Sequence, residues 1–228
     1  MNAGTLVCFA VKQEARSFQK LIRKSQSAKI LVTGIGMGNA EKSLRFALKS
    51  PLPKRIFSSG FAGALNPELQ VGTLLFDARS TPSNWVEQLR ECGAKRATFL
   101  SSDRIAITAA EKRDHFFQSG CDAIEMESKT ISEICTRNGI ECITLRVISD
   151  AASEDLPVDF NALMTSDRRL SPVRLAWALA KAPQKIPALL RLGKNSAHAA
   201  AKLALALNAL VASSPSDSCP EPSSFRSK

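Results

Sequence analysis

Two glutamates flank a methionine in the stretch Asp122–Thr130, DAIEMESKT, where the short apolar run AI meets a helical pattern. A carboxylate at the inward end of a strand is costly to bury unless something binds it. Glu125 and Glu127 are therefore candidates for holding hydrogen-bond donors. Four other segments carry comparable chemistry. Glu14, in AVKQEARSF, follows the first apolar run; it is either an acid suited to the first turn of an exposed helix or a carboxylate facing a ligand. In TGIGMGNA (33–40), glycines 34, 36 and 38 are spaced G-x-G-x-G, without the third glycine of a dinucleotide fingerprint. What remains is a tight turn, either plain or with backbone N–H groups free to meet an anion or a hydroxyl. SSGFAGAL brings together Gly60, Ala62 and Gly63, small enough for a ligand to approach the backbone or for close helix–sheet packing. ISDAASED sets Ser149 and Asp150 after the apolar run CITLRVI, as a helix cap or turn, or as a carboxylic acid steadied by its serine neighbour.

These residues need elements to position them. TLVCFAV, KILVTGIG, RIFSSGFAG, GTLLFDA, ATFLSSD, AIEME and CITLRVISD read as strands, several of them continuously apolar as in a sheet covered on both faces. NAEKSLRFALK, AAEKRDHFFQS and ESKTISEICTRNG read as helices between them, the last stopped by Asn-Gly. Such alternation predicts a single α/β domain with a mostly parallel central sheet flanked by helices. Glu14, Gly36, Gly60, Glu125, Glu127 and Asp150 then lie at the ends of five strands, which a parallel sheet brings to one edge. Beyond Asp150 come a loop and three helical pieces, PVRLAWALAKA, PQKIPALLRLG and SAHAAAKLALALNALVA. Pro172 and Pro183 suit first turns, Gly193 suits a C-cap, and Pro187 shortens or kinks the second piece. The domain is expected over 1–212, with 168–212 a basic C-terminal helical extension and 213–228 a disordered, Ser/Pro-rich tail.

Composition restricts the function classes. The chain has 228 residues, 44% hydrophobic and 23% charged, in the range of ordinary globular proteins. No apolar run approaches the roughly 20 residues that span a bilayer, and the N-terminus lacks a basic, cleavable leader pattern. A cytoplasmic protein is expected. Its six cysteines form no CxxC pair and only two histidines accompany them, so reduced thiols are expected rather than disulfides or a zinc site. Much of the net charge of +10 lies between Arg168 and Ser216, which holds eight Lys or Arg and no Asp or Glu. Such a segment is a solvated helix surface, a nucleic-acid face or an anionic-membrane face.

AVKQEA, TGIGMGNA, GFAGAL followed by VG, IEMES and LRVISDAA occur in that order over roughly residues 5–155. Together they resemble the nucleoside phosphorylase/nucleosidase superfamily, which includes 5′-methylthioadenosine/S-adenosylhomocysteine nucleosidases. EARSF, TAAEKR, EMES, LPVDFNAL and KAPQKIPALLRLG extend the resemblance to hopanoid-associated phosphorylases, thought to release adenine from adenosylhopane and leave ribosylhopane for a membrane lipid. The segment before TGIG and the stretch DARSTPSNWVEQL are shorter than in the soluble nucleosidases, which implies a more open 5′ side.

The resemblance implies a purine nucleoside N-glycosidase, hydrolase or phosphorylase, acting through a ribosyl cation-like transition state. It implies Asp150 as the acid at purine N7, beside Ser149, and Glu14 as the carboxylate that orients or deprotonates water. Burial is what would let Asp150 hold a proton near neutrality. Glu127 would accept hydrogen bonds from the ribose 2′ and 3′ hydroxyls, with Met126 packed on the sugar. Ile105 and Ala106 align with the purine-stacking segment, without its aromatic. Gly36, Gly60, Phe61, Arg16 and Arg146 are the candidates around the nucleophile or an anion. Glu125 stays open between a ligand role and an outward ion pair, because alternation along an extended segment points it away from Glu127. No metal and no cofactor are expected, with phosphate the one optional co-substrate. The expected partners are an adenine nucleoside, lipid-linked in the narrower reading, a second copy of the chain and the inner face of a membrane. Nucleic acid is not expected, since base-stacking aromatics are scarce among the basic residues. The competing readings are a soluble methylthioadenosine, S-adenosylhomocysteine or futalosine nucleosidase and, from another class, a nucleoside- or nucleic-acid-binding module.

Overall fold

The computed structural model describes residues 4–49 and 51–213. Of the tail expected at 213–228, all but Ser213 lies outside the described residues, as does Cys219. The apolar runs become strands β1 (Thr5–Phe9), β2 (Ala28–Val32), β3 (Arg55–Ala64), β4 (Leu74–Asp77), β5 (Lys95–Ala97), β6 (Phe99–Ser101), β7 (Ala123–Glu125) and β8 (Glu141–Asp150). The helices are α1 (Lys12–Ile22), α2 (Met37–Ala47), α3 (Ser83–Glu91), α4 (Ala109–Ser119), α5 (Ser128–Arg137), α6 (Phe160–Leu163), α7 (Pro172–Lys181) and α8 (Ile186–Ala212). ATFLSSD forms two strands because Asp122 turns the chain at Thr98, accepting hydrogen bonds from its N–H and its hydroxyl at 2.8 and 3.0 Å. Helix α3 arises inside DARSTPSNWVEQL, where no helix was expected; Trp85 and Leu89 anchor it in the core.

The sheet runs β2-β1-β3-β8-β4-β5, with β7 and then β6 added alongside the far end of β3. Strands β2, β1, β3 and β8 run parallel to one another, while β4 opposes β8 and β7 opposes β3. Alternation along each strand feeds two cores. Phe57 packs with Phe9, Phe18 and Trp85 on the face covered by α1, α3 and α8, whereas Ile56 packs with Ala40, Leu44 and Ile131 under α2 and α5. With both faces buried, strands such as ITLRVI need no polar side. Cys8, Cys135 and Cys142 are free thiols in the second core.

The C-terminal segment departs from the expected three pieces. After α7 and a 3-10 turn at Pro183–Lys185, one helix of 27 residues continues to Ala212. Gly193 lies inside it rather than capping it, and Pro187 occupies the first turn, where a missing N–H has no consequence. The continuity has a packing cause: Ala199, Leu203, Leu207 and Leu210 all belong to the main core, against α1 and β8. The far half of the basic segment is thus part of the fold's interior. Among the described residues, no helix is long and apolar enough to cross a membrane.

Candidate active site

The expected convergence occurs. A cavity of about 300 Å³ at the carboxyl ends of the strands is lined by Glu14, Phe61, Ile105, Ala106, Met126, Glu127, Ser149 and Asp150, among others. Its size and its mix of apolar wall and few carboxylates suit a small-molecule site.

At one end stands Arg146 of β8, fully buried and met by carboxylates from three elements. Its Nη2 lies 2.7 Å from Glu125 Oε2 and 3.6 Å from Glu127 Oε2. A Cβ placed on Gly60 would lie 2.6 Å from Arg146 Nη1 and 2.8 Å from Glu14 Oε1. Only glycine leaves room for these two groups to share the wall of β3. Glu14 is fixed through its backbone environment: Oε2 accepts from the N–H of Ala10 and Val11, and Oε1 from the N–H of Phe61 at 2.8 Å. The exposed-turn reading of Glu14 is overturned, since it is buried at the third position of α1. Burial pushes its carboxyl above the usual range, against those hydrogen bonds and Arg146.

Glu125 and Glu127 turn to the same guanidinium because β7 stops at Glu125 and Glu127 already caps α5. Alternation therefore does not separate them, and the Glu125 ion pair faces inward. Glu125 Oε2 also takes the N–H of Glu127 and Ser128, and Oε1 the Ser101 hydroxyl, which makes it the support of the turn into α5. Burial raises its pKa, but Arg146 and the two N–H groups outweigh that and hold it below the normal range. Among the described residues, Glu127 receives only the N–H of Gly36, at 2.8 Å, besides the longer contact to Arg146. Burial, aided by the charge of Glu125 and opposed by Arg146, pushes Glu127 up to about 7. The Gly36 N–H is consequently committed to Glu127 rather than free for an anion. Arg16 is exposed on α1 and is not among the cavity's lining residues; it takes no part in an anion pocket, because at two residues past the buried Glu14 it faces the opposite side of the helix.

At the other end is Asp150. Its position depends on a bulge: Ala62 pairs with Ile148 but Gly63 pairs with Asp150, leaving Ser149 as the extra residue in β8. A bulge re-aims side chains, and here both Ser149 and Asp150 reach the cavity. Ser149 Oγ donates to Asp150 Oδ1 at 2.7 Å. Oδ2 is held by a residue the sequence reading missed, Lys112 of α4, at 2.6 Å. Ile105 lines the wall, but its N–H and C=O are both taken by the side chain of Asn161, at 2.9 Å each. Leu156, Phe160, Leu192 and Ser196 complete the mouth and were not anticipated. Among the described residues, no group of His, Cys, Asp and Glu could hold a metal ion.

A family model described as the phosphorylase superfamily matches residues 88–178. A futalosine hydrolase structure from Helicobacter pylori superimposes with a TM-score of 0.66 at 16% identity, covering 92% of this chain and 98% of that one. The chain shares the fold of that hydrolase. A 5′-methylthioadenosine/S-adenosylhomocysteine nucleosidase from Staphylococcus aureus is 25% identical over 176 residues, 63% of this chain and 77% of that protein. An aminodeoxyfutalosine nucleosidase from Campylobacter jejuni is 24% identical over 179 residues, 65% and 78% of the two chains. The phosphorylase-superfamily match includes Lys112, Glu125, Glu127, Arg146 and Asp150, while Glu14 and Gly60 reach the same cavity from outside it.

Proposed function

We propose that this protein cleaves the N-glycosidic bond of an adenine nucleoside and transfers the ribosyl group to water. The observation that carries the reading is the crowding of three buried carboxylates, Glu14, Glu125 and Glu127, around the single guanidinium of Arg146 at one end of a cavity whose other end holds Asp150. Negative charge fixed there favours a ribosyl cation developing in the cavity and disfavours a phosphate dianion, which would meet more carboxylate than cation. Glu14, raised by burial, is suited to take a proton from water. Glu127, with little of its acceptor capacity used by the protein, is suited to the two ribose hydroxyls. Met126 packs beside the sugar, and Asp150 meets the base. The relatives named above, nucleosidases by description, support the same chemistry.

The finer reading is a nucleoside with a bulky apolar 5′ substituent, such as adenosylhopane, processed at a membrane surface. Its support is the layout of the C-terminal helices. Helix α8 contributes Leu192 and Ser196 to the cavity, while its Ile186 and Leu190 and the Val173 and Trp177 of α7 are exposed. Methylthioadenosine, S-adenosylhomocysteine and futalosine are the alternative substrates for the same machinery. The test is adenine release from adenosylhopane and from methylthioadenosine, each with and without phosphate. We expect release that is indifferent to phosphate and faster from the lipid nucleoside. Ribose 1-phosphate chemistry at the sugar would overturn the water reading, and preference for methylthioadenosine would overturn the lipid one.

A further inference from the structure

Lys112 is fully buried, and its ammonium has three hydrogen-bond donors matched to three acceptors. Nζ lies 2.6 Å from Asp150 Oδ2, 2.8 Å from the Ala151 carbonyl and 2.9 Å from the Glu154 carbonyl. The loop that it grips is tied back at Leu156, whose N–H donates to the Ile107 carbonyl at 2.8 Å. Through this loop Lys112 thus links the acid to the segment that carries Ile105 and Ala106. The oxygen it holds, Oδ2, is also the one nearer Gly63 in the cavity lining, 3.2 Å from where a Cβ would stand.

This arrangement conflicts with a simple view of Asp150 as a lone buried acid. A departing purine needs a proton, and Asp150 Oδ2 sits 2.6 Å from an ammonium that carries three. The nearest proton is on Lys112 itself. We propose that Lys112 is a positioning residue for the leaving base, holding Asp150 in place and supplying the proton that Asp150 passes to the purine. The proposal rests on the nucleoside-cleavage reading. In the step, the C1′–N9 bond breaks with its electron pair going to the base. Asp150 gives a proton to N7 as Lys112 Nζ passes one to Oδ2, so neutral adenine and a neutral amine result. Water bonds to C1′ and gives its proton to Glu14. After release, Glu14 returns that proton to solvent and Lys112 takes one back through Asp150 in the opened cavity; Asp150 ends as it began, so no proton is gained or lost.

The plain alternative is a staple between α4 and the 151–154 loop with no part in proton supply. The two are separated by Lys112→Met, Asp150→Asn and the double variant. Each is assayed on the purine nucleoside that the wild-type protein cleaves fastest and on 4-nitrophenyl β-D-ribofuranoside, whose leaving group departs as an anion without a proton. We expect Lys112→Met to lower kcat on the purine nucleoside about 100-fold with little change in KM, as for loss of general acid assistance. The double variant should be no slower than Asp150→Asn, because the two residues act as one unit. The ratio of nitrophenyl to purine turnover, which is independent of how much protein folds, should rise about 100-fold. Lys112→Gln goes through the same cycle if the methionine variant does not accumulate. Losses that multiply in the double variant, or that fall equally on both substrates, would overturn the proposal. A wild-type protein inert on every purine nucleoside would be a different failure, that of the underlying reading.

Discussion

Glu127 is the residue at which electrostatics and binding meet. Its carboxyl is raised to about 7 from 4.5, chiefly by burial. A raised acid stabilises the fold relative to the unfolded chain only while protonated; that contribution is complete below about 4.5 and is lost as pH rises through 7. At alkaline pH the ligand-free protein therefore carries an ionised carboxylate that disfavours folding, by up to about 3 kcal/mol at 1.36 kcal/mol per pKa unit. Glu127→Gln removes the charge while keeping an acceptor for Gly36. Its stability relative to wild type should rise between pH 5 and pH 8 in urea or thermal unfolding, and a difference flat with pH would contradict the assignment. If Glu127 holds the ribose as proposed, the same variant should bind nucleoside more weakly than wild type above pH 7, where only the wild type offers an anionic acceptor. The carboxylates were legible in the sequence as candidates because acids at strand ends demand partners, but Glu14 and Asp150 read equally as a helix-turn acid and a cap, and their roles came from the family resemblance. Lys112 was not: in AAEKRDHFFQS nothing local distinguishes it from the neighbouring Arg113, and only the fold reveals that one is buried and the other exposed.

At the scale of elements, strand–helix alternation was readable because both faces of the sheet are covered and the apolar runs are unbroken. Two features escaped. The extra residue at Ser149 leaves no mark in CITLRVISD, since a bulge depends on how β3 pairs with β8. The continuity of α8 was hidden by Pro187 and Gly193, both of which read locally as breaks. Tertiary burial decides instead: the row Ala199, Leu203, Leu207 and Leu210 holds the helix to the sheet, and the glycine is carried along. A sharp consequence follows. Gly193 has ordinary helical backbone with nothing within 4 Å of an added Cβ, so Gly193→Ala should stabilise the protein by about 0.5–1 kcal/mol. Were Gly193 a left-handed cap, as the sequence alone suggested, the same change would destabilise it. Chemical denaturation with an unchanged m-value distinguishes the two.

At the scale of the molecule, charge and apolar exposure coincide in one region. Val173 and Trp177 on α7 and Leu190 on α8 are each more than half exposed. Around them stand Arg174, Lys181, Lys185 and Arg191, within a segment that has no acid from 168 to 216. Lys181 Nζ lies 3.4 Å from the centre of the Trp177 ring, so the tryptophan and the cation form one amphipathic unit. A surface of this kind lies well at a lipid interface, and each basic residue near an anionic leaflet adds about 1 kcal/mol. If the lipid-linked reading of the substrate holds, the protein should associate with vesicles containing anionic lipid and not with neutral ones, and 0.5 M salt should release it, since screening then confines charge attraction to a few ångströms. The two tryptophans provide an internal control. Trp85 is fully buried and Trp177 is 63% exposed, so brominated anionic lipid should quench the emission of Trp177 alone, and Trp177→Phe should abolish the quenching. Lys181→Glu combined with Lys185→Glu should weaken association while leaving turnover of a water-soluble nucleoside unchanged, because neither residue lines the candidate active-site cavity. Quenching that persists with neutral vesicles would indicate apolar contact without charge recognition. Its absence with both kinds of vesicle would make α7 a solvated surface and return the substrate question to the small nucleosides.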